Sequence, residues 1–363
     1  MWALSTSGPL ELSPRSSQVV ERGDLDELTM LVNGLVAEGR WEELAALRER
    51  CRVAVERGKQ LWPVASHVEY RLCLQGPAEW AALMLEVGTG RFSLGPLPEV
   101  AASAHTWDEV APHLHRTPQA AMFAHERVMR GEDLSRDRSA RELPEVLELP
   151  LRLQSWEPAY PLAGYTPDAL DAPAPKLPAL GRRAAPSREV GGDGEWDGTG
   201  WEGGAGDGPV EEPLSPDEPT RALQDLVGIW TEESNGRAEA VGAEGGATDA
   251  IAALGVRRPA LAELDGRTAM ALMAWAGASG GAHGRRRGSA PGRFGAWWVL
   301  AALGDLADDW PVAPRRLGEV LERCRWYCWG ADEPATGWVL RLAVEVPGRS
   351  GPRSWALAAT DAA

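Results

Sequence analysis

The stretch 158–219 decides how the rest of the chain can fold. It is rich in proline and glycine, and between Glu189 and Glu218 it holds ten acidic residues and no lysine or arginine. Such a segment cannot bury enough apolar surface to offset the entropy of ordering it. The composition therefore predicts a disordered acidic linker over 157–215, between a helical domain at 21–156 and a Trp-rich domain at 216–363, behind a flexible start at 1–20. Trp196 and Trp201 are the bulky residues of the linker, either a short docking motif or chance survivors. With 363 residues, each flank is long enough for a core of its own.

Upstream of the linker the apolar spacing is helical. Asp24 reads as an N-cap, and Leu25, Leu28, Leu31, Val32, Leu35 and Val36 recur at helical intervals before Gly39. A second helix is expected over 41–57, with Leu44, Leu47, Cys51 and Val55 inside. The short break between the two implies an antiparallel hairpin. Further helices are expected over 64–74, 77–87, 107–114 behind Thr106, and 117–129.

The run Gly39-Arg40-Trp41-Glu42-Glu43-Leu44-Ala45-Ala46-Leu47 resembles the turn and second helix of a tetratricopeptide-type hairpin, a likeness covering residues 24–57. A second candidate copy starts at Gly76, 37 residues on. Repeat arrays need at least three registered copies, so a generic helical domain is the expectation. Leu147, Leu149, Leu151 and Leu153 alternate with polar residues and Pro150, which predicts an edge strand reaching as an arm toward the C-terminal sheet.

In the second domain, Ser215-Pro216 are expected to open a helix ending near Trp230. Others are expected over 248–254, from Asp265 to Ser279, over 291–306, apolar nearly all round and so the most buried, and over 314–323. Period-two alternation over 325–329, 338–346 and 355–359 predicts a three-stranded antiparallel meander. The fold class is thus multidomain: an all-α N-terminal helical-hairpin domain plus an α+β C-terminal domain with a small antiparallel sheet.

Several function classes are disfavoured. A formal charge of −16 opposes general binding to nucleic acid or anionic membranes. No run approaches the roughly 18 apolar residues of a membrane span, and the first residues lack the basic and apolar regions of a secretory signal, so the cytosol is the expected location. Cys51, Cys73, Cys324 and Cys328 read as reduced core thiols. Cys324 and Cys328 lack two further ligands nearby, so no metal site is expected, and no cofactor motif is present. Arginine outnumbers lysine 35 to 2, which makes an arginine cluster weaker evidence of function than elsewhere. The 17 tryptophans against 3 phenylalanines make Trp the expected large packing residue.

The most distinctive loop is Gly280-Gly281-Ala282-His283-Gly284-Arg285-Arg286-Arg287-Gly288. Three guanidiniums, an imidazole, glycine-freed amides and the positive end of the following helix suit a phosphate or other oxyanion, which makes His283, Arg285, Arg286 and Arg287 the candidate anion-binding residues. The spacing matches neither a P-loop nor a dinucleotide fingerprint. The opposing readings are a solvated loop and one paired with acidic side chains. If the loop binds anything, the tethered segment 189–218 is a candidate internal competitor. His105, His113, His115 and His125 cluster in sequence near Asp108, Glu109 and Glu126, yet read as ordinary surface histidines. No nucleophile elbow accompanies them.

The layout of helical part, acidic linker, Gly-Gly-Ala-His-Gly-Arg-Arg-Arg-Gly and Trp-rich end resembles uncharacterised actinobacterial proteins. That resemblance implies a bacterial cytosolic setting and no activity. Two classes of function compete: a non-enzymatic interaction or regulatory protein using the helical domain to meet a protein partner, and an enzyme on a phosphorylated or anionic small molecule, with Arg285–Arg287 as clamp and His283 as proton donor.

Overall fold

Ser13 and Asp24 show how side chains start the first helices. The Ser13 hydroxyl accepts from Ser16 N, and both Ser13 N and Ser16 Oγ donate to Glu43 Oε1, at 3.2 and 2.7 Å. This network anchors α1 (Pro14–Arg22) in a region whose composition suggested fraying. Asp24 Oδ1 accepts from the amides of Asp26 and Glu27, 3.0 Å each, and opens α2 (Leu25–Ala37) where the N-cap reading places it.

The computed structural model describes residues 11–87, 93–181, 217–256, 258–330, 337–349 and 351–362. The Ser215-Pro216 start, the tryptophans at 196 and 201 and the acidic run up to 216 lie outside the described residues. The chain divides into two compact units: Met1–Ser155, Ala159–Ala174 and Arg286–Phe294 in unit 1, and Trp156–Pro158, Pro175–Arg285 and Gly295–Ala363 in unit 2.

Unit 1 is helical. After α2 come α3 (Trp41–Glu56), α4 (Trp62–Gln75), α5 (Ala78–Val87), α6 (Leu97–Ala104), α7 (Trp107–Val110) with a 3-10 turn at Ala111–His113, α8 (Pro118–Met129) and α9 (Arg138–Arg141). Gly39, at φ 67°, makes the α2–α3 turn that only a left-handed residue allows. Leu28, Val32, Leu44, Leu47, Val68, Leu72, Val100 and Phe123 fill the core. The expected strand over 147–156 is not formed. Leu151 O accepts from Leu134 N at 2.8 Å, and the buried Arg293 guanidinium donates to the carbonyls of Pro150 and Arg152, at 3.1 and 3.0 Å. Those carbonyls find their partners within unit 1, so the segment is no arm toward the sheet.

The described part of the expected linker, up to residue 181, also departs from disorder. It carries the two-residue hairpin β1 (Gly164–Tyr165) and β2 (Leu170–Asp171), and Tyr160 and Ala163 are buried. Tyr70 donates its hydroxyl to Thr166 O. Two tyrosines supply the apolar surface that the acidic portion lacks.

Unit 2 is α+β. Its elements are α10 (Glu218–Leu226), α11 (Gly228–Glu232), β3 (Arg237–Glu244), α12 (Ala247–Ala253), β4 (Ala260–Leu264), α13 (Gly266–Ala278), α14 (Ser289–Leu303, whose residues to Phe294 fall in unit 1), α15 (Pro314–Arg323), β5 (Arg325–Gly330), β6 (Trp338–Val346) and β7 (Arg353–Asp361). The expected meander β5-β6-β7 sits inside a larger antiparallel sheet of order β3-β7-β6-β5-β4. Register pairs Val344 with both Trp326 and Trp355. On one face, Tyr327, Trp329, Ala343 and Ala356 pack with Ile251 and Leu254 of α12. The opposite face buries Trp326, Leu342, Val344, Trp355 and Leu357, and α10 and α13 lie against the sheet as well.

Tryptophans carry this packing. Trp230 donates Nε1 to Ser279 Oγ at 2.8 Å and meets Trp275 and Trp338 edge-on, while Trp297 donates to Glu157 Oε1 at 2.9 Å. Both of these buried indole N–H groups thus have acceptors. Among the described residues, no helix is long and apolar enough to cross a membrane.

Candidate functional site

The densest group of buried charge lies in unit 1. The first turn of α6 presents Glu99, α8 presents His125, Glu126 and Arg130, β1 presents Tyr165, and the segment 286–294 brings Arg286 and the opening turn of α14. Glu99 is 0% and Glu126 2% exposed. Burying two carboxylates is expensive unless each is hydrogen-bonded and charge-compensated.

Glu99 is fully compensated. Arg286 grips it as a fork, Nε to Oε2 and Nη2 to Oε1, both at 2.7 Å. Ser289 adds its amide at 3.1 Å and its hydroxyl at 2.6 Å, and Tyr165 donates its hydroxyl to Oε2 at 2.6 Å. Burial alone would raise the Glu99 pKa; the Arg286 charge and these donors outweigh it and hold the carboxyl below the usual carboxylate range. Tyr165 is driven upward by burial and by the Glu99 charge, so it stays a neutral donor.

Glu126 is treated differently by the same turn. Its Oε1 accepts from Ala290 N at 2.9 Å, yet burial first and the Glu99 charge second push its pKa up to about 8. At neutral pH the pair therefore carries one negative charge, matched by Arg286. Beside it, burial and the Arg293 charge push His125 down to about 4, so this imidazole is neutral. Arg130 donates Nη2 to Ala163 O at 3.0 Å.

Gly288 makes the approach of Glu126 possible. It sits at φ +108°, and a Cβ there would lie 2.6 Å from Glu126 Oε1. Gly288→Ala is expected to cost about 2 kcal/mol or more, from backbone strain plus a displaced carboxylate. Urea unfolding checks it, with Gly34→Ala as the control. Gly34 lies in mid-helix with open space at Cβ, so alanine there should gain roughly 0.5–1 kcal/mol.

The loop residues singled out in the sequence do not act together. Arg286 turns inward to Glu99. The side chains of His283, Arg285 and Arg287 are exposed, and the loop backbone is held by His283 N to Ser234 Oγ at 3.1 Å and Arg285 N to Glu233 Oε2 at 3.2 Å. The helix start expected to greet an oxyanion greets two carboxylates of the chain itself. Glu99 and Tyr165 had no signal in the sequence, since one follows a Gly/Pro-rich loop and the other falls in the expected linker.

The histidines are dispersed: His105 Nε2 lies 3.2 Å from Cys73 O, His115 pairs with Glu86, His113 is exposed and His125 is buried. Among the described residues, no three His, Cys, Asp or Glu side chains could hold a metal. All four cysteines are free and buried, and burial pushes the Cys51 and Cys324 thiols up to about 12.

Fold and site define a protein of two compact units, one helical and closed by an internal carboxylate–guanidinium knot, the other α+β and packed on tryptophan. The chain belongs to DUF6183, a family of unknown function, whose model matches residues 26–363. No curated protein and no solved structure matches it.

Proposed function

We propose that this is a non-enzymatic interaction protein whose helical unit presents the outer face of α2 to a protein partner. One observation carries the reading: Met30 is 66% exposed on a helix whose other face, Leu28, Val32 and Leu35, is fully packed. Flexible, polarisable Met side chains suit recognition surfaces. Arg286, Glu99 and Glu126 satisfy one another, so the densest charge in the unit supports the scaffold. The sequence of the α2–α3 hairpin resembles a tetratricopeptide-type turn and second helix, and hairpins of that kind present binding surfaces. The setting we infer, a bacterial cytosol, rests on the arginine-rich composition and the free thiols. The basic loop takes no part in this reading.

A photo-crosslinking residue at Thr29, exposed next to Met30 on α2, is the test. It should give a discrete crosslinked species in the native host, and one at Arg138, exposed elsewhere on unit 1, should not. Met30→Glu should cut the yield about tenfold, as loss of an apolar anchor does. Equal labelling from both sites, or none from Thr29, would dispose of the reading.

A further inference from the structure

Arg71, on α4, is a buried cation with no carboxylate at ion-pair distance among the described residues. It is 5% exposed. Two other arginines with buried side chains, Arg48 and Arg286, each have a carboxylate at 2.7 Å, from Glu69 and Glu99. Arg71 instead donates Nε to the amide oxygen of Gln75 and Nη1 to that of Asn33, and Nη1 lies 3.5 Å from His67 Nε2. Among the described residues no carboxylate comes within ion-pair distance of it. Amide oxygens orient a guanidinium but supply no charge, and a buried charge is costly when nothing opposes it.

The surroundings are those of a receptor for an anion. His67, Arg71 and Gln75 follow one another at intervals of four along α4 and share a face, and Asn33 reaches the same guanidinium from α2. Because Asn33 and Gln75 use their oxygens on Arg71, each keeps an amide N–H2 to donate, and both residues are exposed. Burial, then the Arg71 charge, lowers the pKa of His67. Asp168, in the turn between β1 and β2, is the acidic group whose charge reaches Arg71, His67 and Tyr70; it is exposed and makes no hydrogen bond to the guanidinium.

We propose that Arg71, with Asn33, Gln75 and His67 around it, is the anchor of an oxyanion site at the α2–α4 seam that takes a phosphate or a carboxylate group. A guanidinium matches the two oxygens of such a group as a fork, which a chloride ion cannot exploit. The site borders the α2 docking face, since Asn33 lies one turn beyond Met30, but its anion chemistry does not rest on that reading.

The test uses the full chain, with inorganic phosphate and acetate as separate probes against chloride at matched ionic strength. Thermal midpoint and the His67 ring resonances are the readouts. Phosphate, acetate or both should raise the midpoint and shift His67 saturably, and which one does so names the group. Arg71→Gln should abolish both responses. Asn33→Asp places a carboxylate on the guanidinium from an exposed position; it should raise the midpoint without any added anion and remove the anion-dependent rise. Asp168→Asn should strengthen the anion response. The proposal falls if the responses follow ionic strength alone or survive Arg71→Gln. It falls equally if Asn33→Asp leaves the midpoint unchanged or lower, or if Asp168→Asn destabilises as much as Arg71→Gln does, since Asp168 would then already be the counter-ion.

Discussion

Arg286→Met will destabilise the protein by about 3–5 kcal/mol, because it leaves Glu99 charged and buried with no opposing cation. The two 2.7 Å hydrogen bonds from the guanidinium vanish together, and Ser289 and Tyr165 can orient the carboxylate but not neutralise it. Adding Glu99→Gln in the same chain should recover most of the loss, since a neutral amide can still accept from Ser289 through its oxygen and donate its N–H2 to the Tyr165 hydroxyl oxygen. The neighbouring exposed arginines make internal controls: Arg285→Met and Arg287→Met should each change stability by less than about 0.5 kcal/mol. Urea unfolding of the four variants decides the matter. A harmless Arg286→Met, or a double variant no better than the single, would mean that the knot does not hold unit 1 together.

Stability will fall between pH 6.5 and about 8 through Glu126. Its pKa rises from the model-compound 4.5 to about 8 on folding, so over that interval the folded state binds a proton that the unfolded state has released. Stability then decreases with pH, by at most about 1.4 kcal/mol per pH unit for one proton, and the effect is complete above the folded pKa. Glu99 is shifted the other way and acts only at acid pH. Burial lowers the pKa values of His67, His105 and His125, which makes stability rise with pH below the ordinary histidine value. The window above pH 6.5 therefore isolates Glu126. Glu126→Gln mimics the protonated form, keeps an oxygen for Ala290 N, and should flatten the decline. Parallel slopes in wild type and variant would show that Glu126 titrates normally.

The helices were legible where side chains start and stop them locally. Asp24, Thr117 and Asp265 each accept from an amide two or three residues on, and α2, α8 and α13 begin behind them. Edge strands were not legible. Residues 237–244, mostly alanine, glycine and charged side chains with Val241 as the one β-branched residue, become β3 through the ladder to β7, which no local preference announces. The Leu147–Leu153 alternation misled for the converse reason: its carbonyls are taken by Arg293, and period two without a neighbouring strand is no strand.

Local chemistry in the chain was enough to determine that there is a helical part and a Trp-rich α+β part with antiparallel strands. Only the tertiary structure decided where the guanidiniums of the basic loop go. Arg285, Arg286 and Arg287 are chemically identical neighbours, yet one meets a buried carboxylate contributed by α6, 187 positions away. Long-range charge pairing depends on which distant side chain shares the same desolvated space, and nothing in the spacing of residues along a chain encodes that.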